Sequence, residues 1–347
     1  MDIDRLRSDD LASLERFLRS ADAATIFHRP EWHEIVQHTY GHRTDYWIAR
    51  AMGEIVGVFP VTAVRFPVLG MKSIAMPYQF HSGLPLALAE EVQIDLVNRA
   101  LVEARDAGAS YVEIRHCGPA PILERLGFKA IDSGLVNTVV SLVGLTFNRV
   151  REGHRRNIVF AQRHGVRIEE ETAVAALQRF HRMHAAESRA MGNPQGGYPF
   201  LRNLSRFGSD RCRLLLAYSG VECLGGLLTI ADDRMVFARY GVSGSEAARR
   251  LYIGKALLWR AMSDASARGC VGFSLGVSSS RDAGLIQSKQ GWNGQTEPVW
   301  LYVHPIKAMP RAPGDYFDRF HLAKAIWRKL PLPVVERLGT LATRWVC

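Results

Sequence analysis

The stretch YWIARAMGEIVGVFPVTAV, residues 46–64, decides the fold. Apolar β-formers flank a tight turn at Met52-Gly53-Glu54, so it reads as strand, turn and second strand. LLLAYSGVECLGGLLTI, residues 214–230, reads the same way. Laid together at a constant offset, Ala49 falls on Ala217, Glu54 on Glu222, Val56 on Leu224 and Gly57 on Gly225. RALVEARDAGASYVEIR (99–115) likewise matches RAMSDASARGCVGFSLG (260–276), with Arg99 on Arg260, Ala104 on Ala265 and Gly108 on Gly269. Each of these is a helix closed by a glycine just past its C-terminus and followed by a buried strand. Two matches in the same order and at nearly the same spacing mark a duplicated α/β unit. Within each unit the order is helix, antiparallel hairpin, further strands, long helix, strand. That order predicts a mixed α+β sheet with helices on its faces rather than regular βαβ alternation. No G-x-G-x-x-G or G-x-x-x-x-G-K-[ST] follows a strand, which argues against a Rossmann or P-loop nucleotide site.

A chain of 347 residues is long for one core and fits two domains, here divided as 1–145 and 146–306, with a basic tail over 307–347. The opening MDIDRLRSDD has no apolar core of a secretory signal, and no apolar run reaches membrane-spanning length, so a cytoplasmic protein is expected. Cys117, Cys212, Cys223, Cys270 and Cys347 include no C-x-x-C pair, which suits reduced thiols better than a disulfide frame or a zinc site. No metal is expected.

The formal net charge of +10 calls for an anionic partner: nucleic acid, a phosphorylated substrate or a membrane surface. The basic residues concentrate in RVREGHRRNIVFAQRHGVR, residues 149–167, and in the tail between Lys307 and Arg344. Zinc-finger spacing, an RNP motif and regular basic–aromatic interleaving are all lacking, so a phosphorylated ligand accounts for the charge better than nucleic acid does. The tail segment 321–345 sets apolar positions beside Lys324, Arg328, Lys329, Arg337 and Arg344. It either packs back on the second domain or lies peripherally on an anionic membrane.

FHRPEWHEIV, IARAMGEIVGVFPV, AMPYQFHSGLPL, HRRNIVFAQRHGV and GLIQSKQGWNG, in that order, resemble the Fem aminoacyl-transferase family. The nearest likeness is its FemAB-like branch, associated with exopolysaccharide and exosortase loci. The resemblance spans about residues 25–304 and is carried by the order of the motifs. It implies two tandem GNAT-like acyl-CoA N-acyltransferase folds, in agreement with the repeat. It also implies transfer of an acyl or aminoacyl group from an activated carrier to an amine on a cell-wall or exopolysaccharide precursor. No tightly bound cofactor is implied, acyl-CoA or aminoacyl-tRNA being the co-substrate. The partners expected are a phosphorylated or lipid-linked glycan precursor and, for an aminoacyl donor, tRNA.

The resemblance carries site residues with it. Lys289, in the closing loop, would stabilise the developing oxyanion or position the donor. Tyr240 and Tyr252 would hydrogen-bond acceptor or leaving group, and the backbone from Tyr240 to Val242 would support the acyl carbonyl. Arg155 and Arg156 would clamp a diphosphate, because guanidinium groups meet phosphate oxygens bidentately. Tyr78 and Ser82 resemble a substrate-side loop of the first domain, and Trp292 is a lid, core or stacking aromatic. Gly254 and Ala256 fit the coenzyme A turn Q/R-x-x-G-x-G/A, whose amides hold a pyrophosphate, but Leu251 stands at its first position. Other departures are Ser274 where the branch has an acid, Val277 where it has an arginine and Ser288 where it has a phenylalanine. They support an alternative reading, a GNAT-like module that binds a glycan or nucleotide-sugar without turning it over.

Overall fold

The computed structural model describes residues 1–66, 70–208, 210–308 and 321–344. These form two compact units, each built on a mixed sheet.

The first unit takes Met1–Asn137 and, of the later residues, 297–308. Its elements are β1 (Asp2–Arg5), α1 (Leu11–Ser20), α2 (Pro30–Tyr40), β2 (Arg43–Ala51), β3 (Glu54–Phe66), β4 (Gly70–Ala75), β5 (Leu86–Ala87), α3 (Glu90–Asp106), β6 (Tyr111–Cys117), α4 (Pro121–Arg125) and the larger part of β7 (Lys129–Ser141). Strands run in the order β1-β2-β3-β4-β6, with β5 on β3. Only the β4–β6 pairing is parallel among these. Helix α3 covers one face of the sheet, its Leu96 in one core with Trp47 and Phe59, while α1 covers the other over Ile48 and Val58.

The second unit takes Thr138–Thr296 and 321–344. It contains α5 (Glu152–Arg163), β8 (Val166–Glu171), α6 (Val174–Met191), α7 (Tyr198–Phe207), β9 (Cys212–Ser219), β10 (Glu222–Ala231), β11 (Met235–Val242), α8 (Glu246–Arg250), α9 (Ile253–Ala267), β12 (Gly272–Ser279) and α10 (Ala283–Gln290). The strand order is β12-β11-β10-β9-β8, and again one pairing, β11–β12, is parallel. β13 (Gly294–Pro305) starts in this unit and runs on into the first, where Val299–Pro305 pairs antiparallel with β6. The divisions expected at 145 and 306 fall just beyond the C-terminal ends of β7 and β13.

The repeat read from the sequence holds in register. In β2–β3 Ala49 faces Gly57, and in β9–β10 Ala217 faces Gly225. Both glycines lie where a helix or backbone comes too close for a side chain. A Cβ on Gly57 would stand 2.7 Å from Val92 of α3, and one on Gly225 would stand 2.4 Å from the Val242 carbonyl and 3.0 Å from Ile253 of α9. The β2–β3 turn has Met52 at φ 50° and Gly53 at φ 83°, the left-handed pair that a two-residue hairpin matched to strand twist demands.

The C-terminal helices α11 (His321–Lys329) and α12 (Leu332–Thr343) pack against α6 and α7. Trp327 and Val335 are buried there, and Trp327 Nε1 donates to Ser188 Oγ. Ile326, Leu338 and Leu341 remain exposed on these helices beside Arg328, Lys329 and Arg337. Among the described residues no helix is long and apolar enough to cross a membrane.

Candidate active site

Strands β11 and β12 pair only over Met235–Phe237 and Gly272–Ser274. Beyond that point β11 continues to Val242 and β12 to Ser279 with no ladder between them, which opens a wedge in the sheet. Two irregularities shape it. On β11, Leu228 faces Tyr240 while Thr229 faces Ala238, so Arg239 is the extra residue of a β-bulge. On β12, Gly276 adopts φ 71° and its amide donates to the Ser274 hydroxyl at 3.2 Å. Ser274, standing where an acid was looked for, is a buried turn-former.

Lys289 closes the β12 side. Its ammonium donates to the carbonyls of Gly276 at 2.7 Å and Val277 at 3.2 Å, the residues at the mouth of the wedge. Burial pushes its pKa down to about 8, with Asp282 acting in the opposite direction. Two of its three donors are committed to β12, and no acceptor for the third stands among the described residues.

Tyr240, on the β11 side, is half-buried. Its ring packs 4.5 Å from that of His184, the Arg239 guanidinium lies 5.0 Å from its centroid, and its hydroxyl lies against Gly196. Just past β11, the Ser243 and Gly244 amides both donate to Glu187 Oε2 at 3.1 Å. The first two amides of the loop that would face an anion are thus satisfied by a carboxylate of α6. Gly254 sits in the first turn of α9, close to Ser243: a Cβ there would meet the Ser243 hydroxyl at 2.8 Å. Ala256 is buried and its amide is spent on the Tyr252 carbonyl, as are those of Leu251, Tyr252 and Lys255 on nearby carbonyls, so of the expected turn the Ile253 and Gly254 amides, at the start of α9, are left over.

A second cluster, which the sequence reading missed, sits between α5, α9 and α10. Lys255 Nζ lies 2.6 Å from Ser288 Oγ and 3.1 Å from His154 Nε2, and 5.6 Å from the centroid of the Trp292 ring. His154 Nε2 is also 2.8 Å from the Ser288 carbonyl. One ring nitrogen either donates to that carbonyl or accepts from Lys255, not both. Burial, with Lys255 and Arg151 adding to it against the Ser288 carbonyl, lowers the His154 pKa and keeps the ring neutral. Burial alone pushes Lys255 to about 8. Trp292, 2% exposed, is the floor of this cluster and not a surface for a substrate.

The first-unit candidates are also inward. Tyr78 is buried at φ 65° with its ring stacked 4.4 Å from that of Tyr40, so it anchors the loop instead of offering its hydroxyl to a ligand. Ser82 Oγ lies 3.3 Å from His116 Nδ1, and burial lowers the His116 pKa to about 4. Cys117, beside it, is pushed up to about 12 by burial and is no nucleophile at neutral pH. In the second unit Arg155 donates to Asn148 Oδ1 at 3.1 Å, and Arg156 is exposed, 3.8 Å from Glu152.

The pKa of Lys255 makes a testable statement. Its ordinary value is 10.5 and its folded value about 8, so between those pH values the unfolded chain binds more protons and stability rises with pH. Below pH 8 the fold carries an unpaired cation at a cost. Lys255→Met is therefore expected to gain in Tm relative to wild type at pH 7 and to lose that advantage by pH 10. Thermal melts at both pH values check it, and a difference that does not change with pH would remove the buried-cation reading.

Residues 148–282 match the family described as Acetyltransferase (GNAT) domain. No curated protein is significantly similar to the chain in sequence. Among solved structures, FemX superposes with a TM-score of 0.69 at 13% identity, over 88% of this chain and 98% of that one. A tandem GNAT protein from the clavulanic acid biosynthesis pathway gives 0.54 at 10% identity, over 89% and 99%. The C-terminal domain of a putative lysylphosphatidylglycerol synthetase from Agrobacterium fabrum gives 0.57 at 14% identity, over 85% and 91%. The fold is therefore a duplicated GNAT-like fold: the duplication is what the hairpin repeat predicts, and the GNAT class is what the family resemblance implies.

Proposed function

We propose that the chain is an acyltransferase that moves an acyl or aminoacyl group from an activated carrier to an amine. The acceptor we infer is a cell-wall or exopolysaccharide precursor, as in a FemAB-like enzyme. The observation that carries the reading is the wedge between β11 and β12, with Lys289 fixed at its mouth. An extended acyl chain in the wedge finds strand backbone groups that no neighbouring strand uses. Its carbonyl then lies between the β11 bulge and the Lys289 ammonium. Attack by the acceptor amine places negative charge on that oxygen, where an oriented cation in a poorly solvated site stabilises it. No covalent enzyme intermediate is needed: the tetrahedral adduct collapses by breaking the bond to the carrier's sulfur or oxygen, which leaves with the proton lost by the amine, and positioning and electrostatics supply the rate.

The test is turnover by the full chain, with radiolabelled acetyl-CoA and a mixed aminoacyl-tRNA pool as donors and amine-bearing nucleotide-sugars as acceptors. Labelled amide product is expected with one of the donors. Ligand binding without amide formation from either donor would favour the non-catalytic binding module, to which Ser274 and Val277 point.

A further inference from the structure

Helices α6, α7, α11 and α12 pack together in the second unit. They hold two acids, Glu187 and Glu336, against nine lysines and arginines. Both acids are engaged by the fold. Glu187 accepts from the Ser243 and Gly244 amides, and Glu336 lies close enough to His181 to favour its charged form. The outer surface of these helices is left basic.

Helix α12 carries two apolar stripes. Val335, Gly339 and Thr343, each four residues from the next, are buried. Val334, Leu338 and Leu341 share a second face, by the four- and three-residue steps that bring side chains together along a helix. Leu338 is 38% exposed and Leu341 50%, with the exposed Arg337 next to them in sequence. On α11, Ile326 is 61% exposed and Lys329 follows it by one turn, while Trp327 is buried. Met191, 46% exposed at the end of α6, accepts from Arg328 through its carbonyl. A helix that is apolar on both stripes is ordinarily covered on both. The pair is also held firmly on the fold and is no loose tail. A Cβ on Gly339 would stand 3.0 Å from the Gln195 carbonyl, and one on Gly197 would stand 2.4 Å from Thr340 Oγ1. One on Gly196 would stand 2.8 Å from the Tyr240 hydroxyl, so Gly196 and Gly197 bridge α12 to the wedge.

We propose that the outward face of α11 and α12 is a docking surface for an anionic phospholipid membrane, with Ile326, Leu338 and Leu341 entering the headgroup–acyl boundary and Lys329 and Arg337 meeting lipid phosphates. The C-terminal segment then does both things its sequence allows: it packs back through one stripe and offers the other. A second copy of the chain is a poor occupant, since a two-fold contact sets the same cations against each other with neither acid of these helices spare to offset them. A partner protein ordinarily grips an exposed aromatic anchor, and Trp327 is buried. A fluid bilayer asks only for short apolar anchors and diffuse positive charge. The surface does not rest on the acyl-transfer reading; it adds that the wedge works beside a membrane.

Flotation of the full chain with vesicles of phosphatidylcholine, alone or mixed with phosphatidylglycerol, tests it. Binding is expected to be about tenfold or more tighter on the anionic vesicles and to weaken as salt rises. The double variant Leu338→Asn, Leu341→Asn changes no charge and should weaken binding about tenfold or more, since each leucine loses its apolar burial. Lys329→Glu with Arg337→Glu should weaken it at least as much. Val221→Asn, at a fully exposed position in the β9–β10 turn, and Arg16→Glu, in the first unit, should leave it unchanged. Circular dichroism and Tm report whether each variant is folded; if the leucine variant is not, Ile326→Asn on α11 makes the same test. No binding, equal binding to both kinds of vesicle, unchanged binding in the folded apolar variant, or a loss in Arg16→Glu as large as in the α11–α12 charge variant each overturns the proposal. So does a dimer in sedimentation velocity that Leu341→Asn dissolves, which would make the face a contact between copies. The readout needs no turnover: vesicle binding without acyl transfer would remove the reaction and keep the surface, and the reverse would remove the surface and keep the reaction.

Discussion

Replacing Lys289 with alanine is expected to lower kcat by about 10²–10³-fold, the usual loss when one preorganised stabiliser of a developing oxyanion is removed. The fold should survive. Its ammonium is half-buried with no carboxylate at hydrogen-bond distance among the described residues, so the side chain is carried at a desolvation cost, not as a structural ion pair. Because burial holds its pKa at about 8, the charged form declines above that pH. Wild-type kcat should therefore fall on an alkaline limb near pH 8 that is missing from Lys289→Ala. Wild-type turnover in Lys289→Ala at saturating donor would return the residue to the role of a β12 brace.

The second large effect lies in the first unit and concerns stability. Glu113 on β6 is 6% exposed, between Lys72 at 5% and Arg115 at 1%. Its Oε2 accepts from Lys72 Nζ at 3.2 Å, and its Oε1 accepts from Arg115 Nε at 2.8 Å. The Arg115 guanidinium also lies 4.6 Å from the Phe80 ring centroid. Burial by itself would raise the carboxyl pKa, but the two cations outweigh it and hold it below its ordinary 4.5. Glu113→Gln would leave two buried cations facing a neutral amide, and breaking a buried pair in this way costs about 3–5 kcal/mol. The sign of the pH effect follows. A carboxyl depressed in the fold contributes stability that is complete above pH 4.5 and fades as the pH falls through the folded value. Urea titration at pH 7 and at pH 4 checks both statements. A variant within half a kilocalorie of wild type at pH 7 would mean that water already screens the triad.

Much of the fold was legible because it is written twice. The hairpin match at constant offset became the same register, Ala49 on Gly57 and Ala217 on Gly225. The glycines recur because a helix or a neighbouring strand crosses the same point of each sheet. Lys289 was singled out by its place in a motif that resembles the family's closing loop, whereas the structure sets it in the last turn of helix α10, because Asp282 caps Leu285 and starts a helix there. The cluster of His154, Lys255, Ser288 and Trp292 was not, because its members come from three separate segments. Lys255 sits inside the G-x-A pattern, and attention fell on the glycine. Tyr78 was read toward a ligand and faces inward, and of the lid, core and stacking roles open to Trp292 the structure gives it the core, since an aromatic beside a glycine or proline looks the same in sequence whether it lines a cleft or fills a core. Glu187 gave no signal at all, as a carboxylate that caps two amides from a distant helix has no local pattern.

The course of β13 governs how the protein can be made on a ribosome. The sheet partner of β6, Val299–Pro305, is encoded after the whole of 138–296. At about 5–20 residues per second, that edge of β6 waits on the order of ten to forty seconds after its own synthesis for the strand that covers it. Through that interval the nascent amino-terminal sheet presents unpaired amide and carbonyl groups, the feature by which chains recruit each other into aggregates. The amino-terminal sheet is thus completed only after the whole of the second unit's 138–296 has been made.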